Sequence, residues 1–357
     1  MASKKRRASI RTSSRKKRGR RLWWEKLSNE DLLDVRICDL ELKIPGTALQ
    51  SRINQLYDEL RRAGIAFRPH TWLSTDWFTP DGVIGFAVPF FLAHPRLARI
   101  EHGQMLEVEG GNHTWCMKLL RHETGHAIDN AYRLHWKKQW RETFGKFSEP
   151  YHHTYAPNPA SRNHVQHLGY WYSQSHPAED FAESFAVWLR PGGRWRSRYE
   201  GWPVISKLQF IEELMASVKR SKLAVKSRSR PDSLSTIRMT LGEYYADKQQ
   251  TYTQDSDDQI VDPYLHKLFS SDRTYRRRET AASFLRRFQT ELRNRVASLT
   301  RQPKYLVEQA LNVLILRCRE LDLRVTAPGS ENRINATIVI TILTMHFVHD
   351  KKPQYRR

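Results

Sequence analysis

Cysteine is scarce in this chain. There are three, Cys38, Cys116 and Cys318, far apart and never in a C-x-x-C pair. That argues against a disulfide framework, suits a reducing, cytoplasmic compartment, and leaves the three as small buried hydrophobes. Long apolar runs are missing as well. The longest candidate, 334–348, is interrupted by Asn335, Thr337, Thr341, Thr344 and His346 and is too short to span a bilayer. No apolar stretch follows the basic N-terminal run, so that run does not read as a signal peptide. Acids are in short supply too: 38 Asp and Glu face 60 Lys and Arg, for a net charge of +22. Half of that excess sits on residues 1–21, which hold eleven Lys or Arg and no acid. Such a segment cannot collapse on its own and is expected to be a disordered tail, taken here as 1–22. It fits either a solubilising role or binding of nucleic acid or another polyanion by counterion release.

What remains is the composition of a packed globule. Only 39% of residues are apolar, but 11 Trp, 14 Tyr and 14 Phe are enough for a sizeable core, and 357 residues allow two domains. Residues 31–44 carry Leu33, Val35, Ile37, Leu40 and Leu42 in rough alternation and predict a strand. Leu49, Ile53, Leu56 and Leu60 predict a helix over 48–63. Two more strands are expected at 65–73 and 82–91, around a Thr79-Pro80-Asp81-Gly82 turn, and a short one at 104–108. Helices follow from after Asn112 to about Leu134, over 135–147 and over 203–218. Between them, 148–175 is a long polar segment rich in aromatics and histidines, the kind of loop that tends to be functional.

The first helix contains His122-Glu123-Thr124-Gly125-His126. Two histidines four apart lie on one helix face, so both imidazoles can reach one metal, and Glu123 stands close enough to polarise a metal-bound water. Zn²⁺ suits imidazole and carboxylate ligands, with one position left to water in a catalytic site. A metzincin layout would need glycine at 129 and histidine at 132, where the chain has Asp129 and Tyr132. His135, nine residues past His126, faces away from the metal. Asp129 is open to two readings, a partner for a metal-bound imidazole or a surface acid.

Downstream lies Ser175-His176-Pro177-Ala178-Glu179-Asp180-Phe181-Ala182-Glu183-Ser184-Phe185-Ala186. Pro177 suits a first helical turn and the acids favour the positive end of the dipole. The pairing of HETGH with this acidic helix resembles the gluzincin metallopeptidases. It is most similar to bacterial zinc-binding metallopeptidases that carry H-P-x-E-D-[FW]-A-E-[ST]-[FW]-A after H-E-x-G-H, and more distantly to the anthrax lethal factor peptidase domain. The likeness covers residues 30 to 195 and is specific in the two helices. It implies one zinc ion per chain, ligated by His122, His126 and Glu183, with Glu123 as general base. Glu179 and Asp180 stand as rival ligands or as carboxylates that orient the imidazoles. The loop histidines His152, His153, His164, His167 and His176 are rivals to Glu183. An oxyanion donor is also needed, and Tyr172 is the choice over Tyr170 and His176.

The fold class expected is α+β: a zincin-like metallopeptidase domain over 23–218, with a small mixed sheet and active-site helices. In such folds an edge strand binds extended peptide by β-addition, and 82–88 is the candidate on element order. The basic, serine-containing stretch 219–231 reads as a linker, and 232–357 as an all-helical domain decorated by Arg276, Arg277, Arg278, Arg286 and Arg287. The functional expectation is zinc-dependent hydrolysis of a protein or peptide substrate. The alternatives are a polyanion- or nucleic-acid-binding protein with a structural zinc site, or a DNA-associated protease.

Overall fold

A computed structural model of the chain describes residues 22–151, 158–169, 171–219, 221–251 and 261–350. The basic segment 1–21, Tyr170, His152 and His153 lie outside the described residues. The architecture is mixed but mostly helical. Helices α1 (Asn29–Leu33) and α2 (Ala48–Arg62) precede strands β1 (His70–Ser74) and β2 (Gly85–Pro89). Then come α3 (Pro95–Met105), α4 (His113–Tyr132), α5 (Lys138–Phe144), α6 (Pro177–Leu189), α7 (Trp195–Arg198), α8 (Ile205–Val218) and α9 (Leu241–Gln250). A second group comprises α10 (Asp262–Leu268), β3 (Phe269–Ser270), α11 (Ala281–Arg287), α12 (Gln289–Thr300), α13 (Lys304–Glu320), β4 (Arg324–Val325) and α14 (Gly329–Asp350). Among the described residues no helix is long and apolar enough to cross a membrane.

The sheets are minimal. β1 and β2 pair in parallel from His70↔Gly85 to Ser74↔Pro89, and β3 pairs with β4 antiparallel. The expected strand at 31–44 is absent. Ser28 caps α1 instead, its hydroxyl accepting from the Asp31 amide at 3.0 Å in a capping box. A 3₁₀ turn, Ile37–Leu40, follows. The apolar residues there are buried at uneven spacing, and the backbone bonds to a segment two hundred residues away: the amides of Ile37 and Cys38 donate to Met239 and Ile237. The strand expected at 104–108 is the end of α3, closed by Leu106 at φ 63°. β2 is buried at every residue, and the Ala87 amide donates to the Phe78 carbonyl at 2.8 Å, so the candidate edge at 82–88 is covered there by the 76–79 segment.

Two large apolar cores are distinct. The first runs from Trp24 to Tyr245 and includes Leu56, Phe86, Leu120, Phe181, Leu241 and Tyr244. The second draws only on residues from Val261 to Phe347. The stretch 219–231, expected as a linker, meets β1 with its last residues. His70 Nε2 meets the Ser229 carbonyl at 3.1 Å, Trp72 donates to Pro231 and Ser74 to Asp232. The cores therefore part after α9 rather than at 219–231.

Candidate metal centre

The centre is built where α4 crosses α6. Asn112 caps α4, its side chain accepting from the Trp115 amide at 2.8 Å. His176 caps α6 through Nδ1, which accepts from the Ala178 amide, and Pro177 occupies the first turn. The two helices touch at Gly125. A Cβ built there would lie 2.8 Å from the Ala182 Cα, so the glycine of HETGH is what lets α6 approach this closely. As a result α6 is buried at every position from Ala178 to Val187, acids included.

Three side-chain atoms converge in the crossing. His122 Nε2 and His126 Nε2 are 3.2 Å apart, and Glu179 Oε2 stands 3.1 Å from the first and 3.2 Å from the second. A tetrahedral ion with bonds of about 2.0–2.1 Å would set its ligand atoms about 3.3 Å apart, so the spacing fits one metal ion. The donor set fits as well, since two facing imidazole nitrogens can share at most one proton. This buried group can hold a metal ion.

Glu183 is placed differently from the expectation. Its Oε1 accepts from His122 Nδ1 at 2.9 Å and its Oε2 from the Leu168 amide at 2.8 Å. It thus meets the opposite nitrogen of the ring from the one that faces His126. The physical reason is geometric: Glu179 and Glu183 lie one turn apart on the same face of α6, and His122 presents one nitrogen to each. Glu183 fixes the tautomer of His122 and frees Nε2.

The electrostatics follow from burial. Desolvation opposes a charge on His122, but the hydrogen bonds and charges of Glu179 and Glu183 outweigh it and hold the imidazole well above its usual range. Glu179 is the converse: burial pushes its carboxyl up, and His126 and His122 together pull it well below the usual carboxylate range. Burial raises the Glu123 carboxyl, against the pull of His122, His126 and the Thr79 hydroxyl. That hydroxyl donates to Glu123 Oε2 at 2.8 Å. Sequence reasoning gave Thr79 no role beyond a turn; the turn is present, with Gly82 at φ 69°.

The remaining candidates fall into place around this group. Tyr172 lies with its ring centroid 5.8 Å from that of His122. Tyr151, which no periodicity singled out, donates its hydroxyl to Glu179 Oε1 at 2.9 Å and stacks on His176 at 3.9 Å. The described loop histidines stay away from the cluster. His176 Nε2 meets the Glu149 carbonyl, His167 Nε2 the Lys118 carbonyl, and His164 lies 3.7 Å from Asp180. Asp180 also pairs with Lys207, and burial lifts its carboxyl to about 7 in spite of that lysine. Asp129 is buried and accepts from both the amide and Nδ1 of His135 at 2.9 and 2.7 Å. It is neither a surface acid nor a partner of a cluster histidine. Behind α4, Arg121 and Glu59 form a buried two-point ion pair at 2.7 and 2.9 Å. Compared with known proteins, the chain matches no family model, no curated protein and no solved structure.

Proposed function

We propose that the chain is a zinc-dependent metallopeptidase of the gluzincin kind, with a zincin-like catalytic region and ligands His122, His126 and Glu179. One observation carries this reading: two imidazole nitrogens and a carboxylate oxygen meet within 3.1–3.2 Å beside a buried glutamate of the HETGH helix. A zinc ion bound there supplies Lewis acidity, lowering the pKa of water and polarising a carbonyl. Glu123 accepts a proton from the attacking water and delivers it to the leaving amine nitrogen. Thr79 orients that carboxylate, and burial tunes it upward toward the working pH. Glu183 holds His122 in the ligating tautomer, and Tyr151 holds the second oxygen of Glu179. Tyr172, beside His122, is the oxyanion donor.

The test uses the full chain, its metal content and its cleavage of unfolded protein substrates. Wild type should bind one zinc and cleave. Glu123→Gln should keep the zinc and lose about 10²–10⁴-fold in turnover. Equal cleavage by the two would remove Glu123 from the chemistry. Bound zinc with no cleavage by wild type would leave a structural site.

A further inference from the structure

Past the metal cluster, the C-terminal end of α4 opens into a cavity of about 860 Å³. Its lining carries four cations, Arg133, Lys138, Arg141 and Lys146, against two acids, Asp81 and Glu142. Lys138 and Glu142 pair weakly at 3.6 Å on the surface. The wall is ordered by its own contacts. The Arg133 guanidinium lies 4.3 Å over the Trp136 ring, and Arg141 donates to the Trp136 carbonyl at 3.0 Å. Trp136 is 60% exposed, an unusual state for the largest apolar side chain. His135 turns its Nδ1 to Asp129 at 2.7 Å.

The cavity is joined to the catalytic group by two direct links. Asp81 and Gly82 end the turn that starts at Thr79, whose hydroxyl holds Glu123. Asn130 Nδ2 donates to the carbonyls of Pro80 and Val83 at 2.9 and 3.1 Å, which pins the same turn to α4 one helical turn past His126. Asn130 and Arg133 lie four and seven residues beyond His126, or about 6 and 10 Å along the helix. An extended peptide advances about 3.3 Å per residue. A chain that reacted at the cluster and ran along the 79–82 turn would reach the cavity two or three residues from its scissile bond.

We propose that this cavity is a substrate subsite for an acidic side chain, at the second or third residue from the scissile bond. A carboxylate there would meet guanidinium donors from Arg133 and Arg141, which suit it geometrically, and its methylenes would rest on Trp136. The subsite rests on the peptidase reading, so its test needs one arm that does not depend on cleavage.

In the cleavage arm, a glutamate is scanned through the three positions on each side of the scissile bond of an otherwise neutral peptide, with lysine as the matched control. Glutamate at a second or third position on one side should exceed lysine by about tenfold in kcat/KM. The double variant R141E/K146E, both at exposed positions, should reverse that preference. In the binding arm, Glu123→Gln is titrated with the same peptides and followed by tryptophan fluorescence, with Trp136→Phe identifying the responding ring. The glutamate peptide should bind about tenfold tighter than the lysine peptide, and R141E/K146E should abolish the difference. Cleavage without any preference, or binding indifferent to the charge of the peptide, would overturn the subsite. Failure of wild type to cleave any peptide would sink the peptidase reading alone, because the titration would still decide whether the cavity takes an acidic chain.

Discussion

The two apolar cores treat charge in opposite ways. Within the first region, Glu59, Glu101, Arg121, His122, Glu123, Asp129, Glu179, Asp180 and Glu183 are all buried. In the second, from Val261 onward, the buried polar residues among those described are Asn332 and Thr344, both uncharged. Ionised groups taken out of water cost several kcal/mol each unless paired and hydrogen-bonded. A fold that needed only stability would bury apolar side chains there, as the second region does. The concentration of buried acids and imidazoles where α4 crosses α6 is therefore a reason to place chemistry in the first region, and it gives ways to break the comparison.

The largest expected effect is on metal binding. Glu179→Ala removes one of three converging ligand atoms and should lower zinc affinity by more than about a hundredfold, measured by competition with a chelator. Glu183→Ala removes the acceptor that sets the His122 tautomer and should cost about 10–100-fold. The reverse order would return the ligand role to Glu183. Next in size is the buried ion pair behind α4. Arg121→Met strands the Glu59 carboxylate and should destabilise the first region by about 3–5 kcal/mol in denaturant unfolding. Leu311→Ala in the second core should cost about 2–5 kcal/mol by a different route, a cavity with no stranded charge. Adding Glu59→Gln to Arg121→Met should recover much of the first loss. If it recovers nothing, burial of unpaired charge is not what sets that region apart.

How far the sequence revealed this depends on the distance over which each signal acts. The HETGH helix was legible end to end, because its cap, periodicity and motif are all local: it was expected from after Asn112 to about Leu134 and runs His113–Tyr132. The acidic helix was equally plain. The choice between Glu179 and Glu183 was not. They are one turn apart on one face, and only the rotation of α4 against α6 decides which nitrogen of His122 each meets. The 31–44 segment misled because short alternation fits both a strand and uneven burial, although Ser28 and Asp31 already spelled a capping box. The 219–231 stretch has a linker's composition, yet its carbonyls accept from side chains of β1, an arrangement that composition does not encode. Tyr151 lies at the start of a loop without periodicity, so nothing marked it.

The smallest expected effect separates the regions by pH. Burial pushes His167 down to about 4, and the nearby Glu183 carboxylate only partly opposes it. His164 is also pushed down to about 4, by burial and then by Lys207. In an unfolded chain both would titrate near 6.5. Between about pH 6.5 and 4 these two side chains therefore bind fewer protons in the folded form than in the unfolded one, so their contribution to stability is lost as pH falls through that window. Asp180, lifted to about 7, and His122, held above its usual range, contribute in the opposite sense. All eleven tryptophans lie at or before Trp202, so tryptophan fluorescence reports on the first region, whereas the helical signal in circular dichroism reports on both. In the metal-free protein the fluorescence transition should move with pH in that window while a helical transition belonging to the second region stays in place, since its buried Asn332 and Thr344 do not titrate. His167→Gln can still donate to the Lys118 carbonyl and should gain stability relative to wild type as pH falls through the window. His164→Gln should gain less, because that side chain is 26% exposed and water screens its charge. An acid slope equal in both transitions would mean that charge burial does not distinguish the two cores in solution.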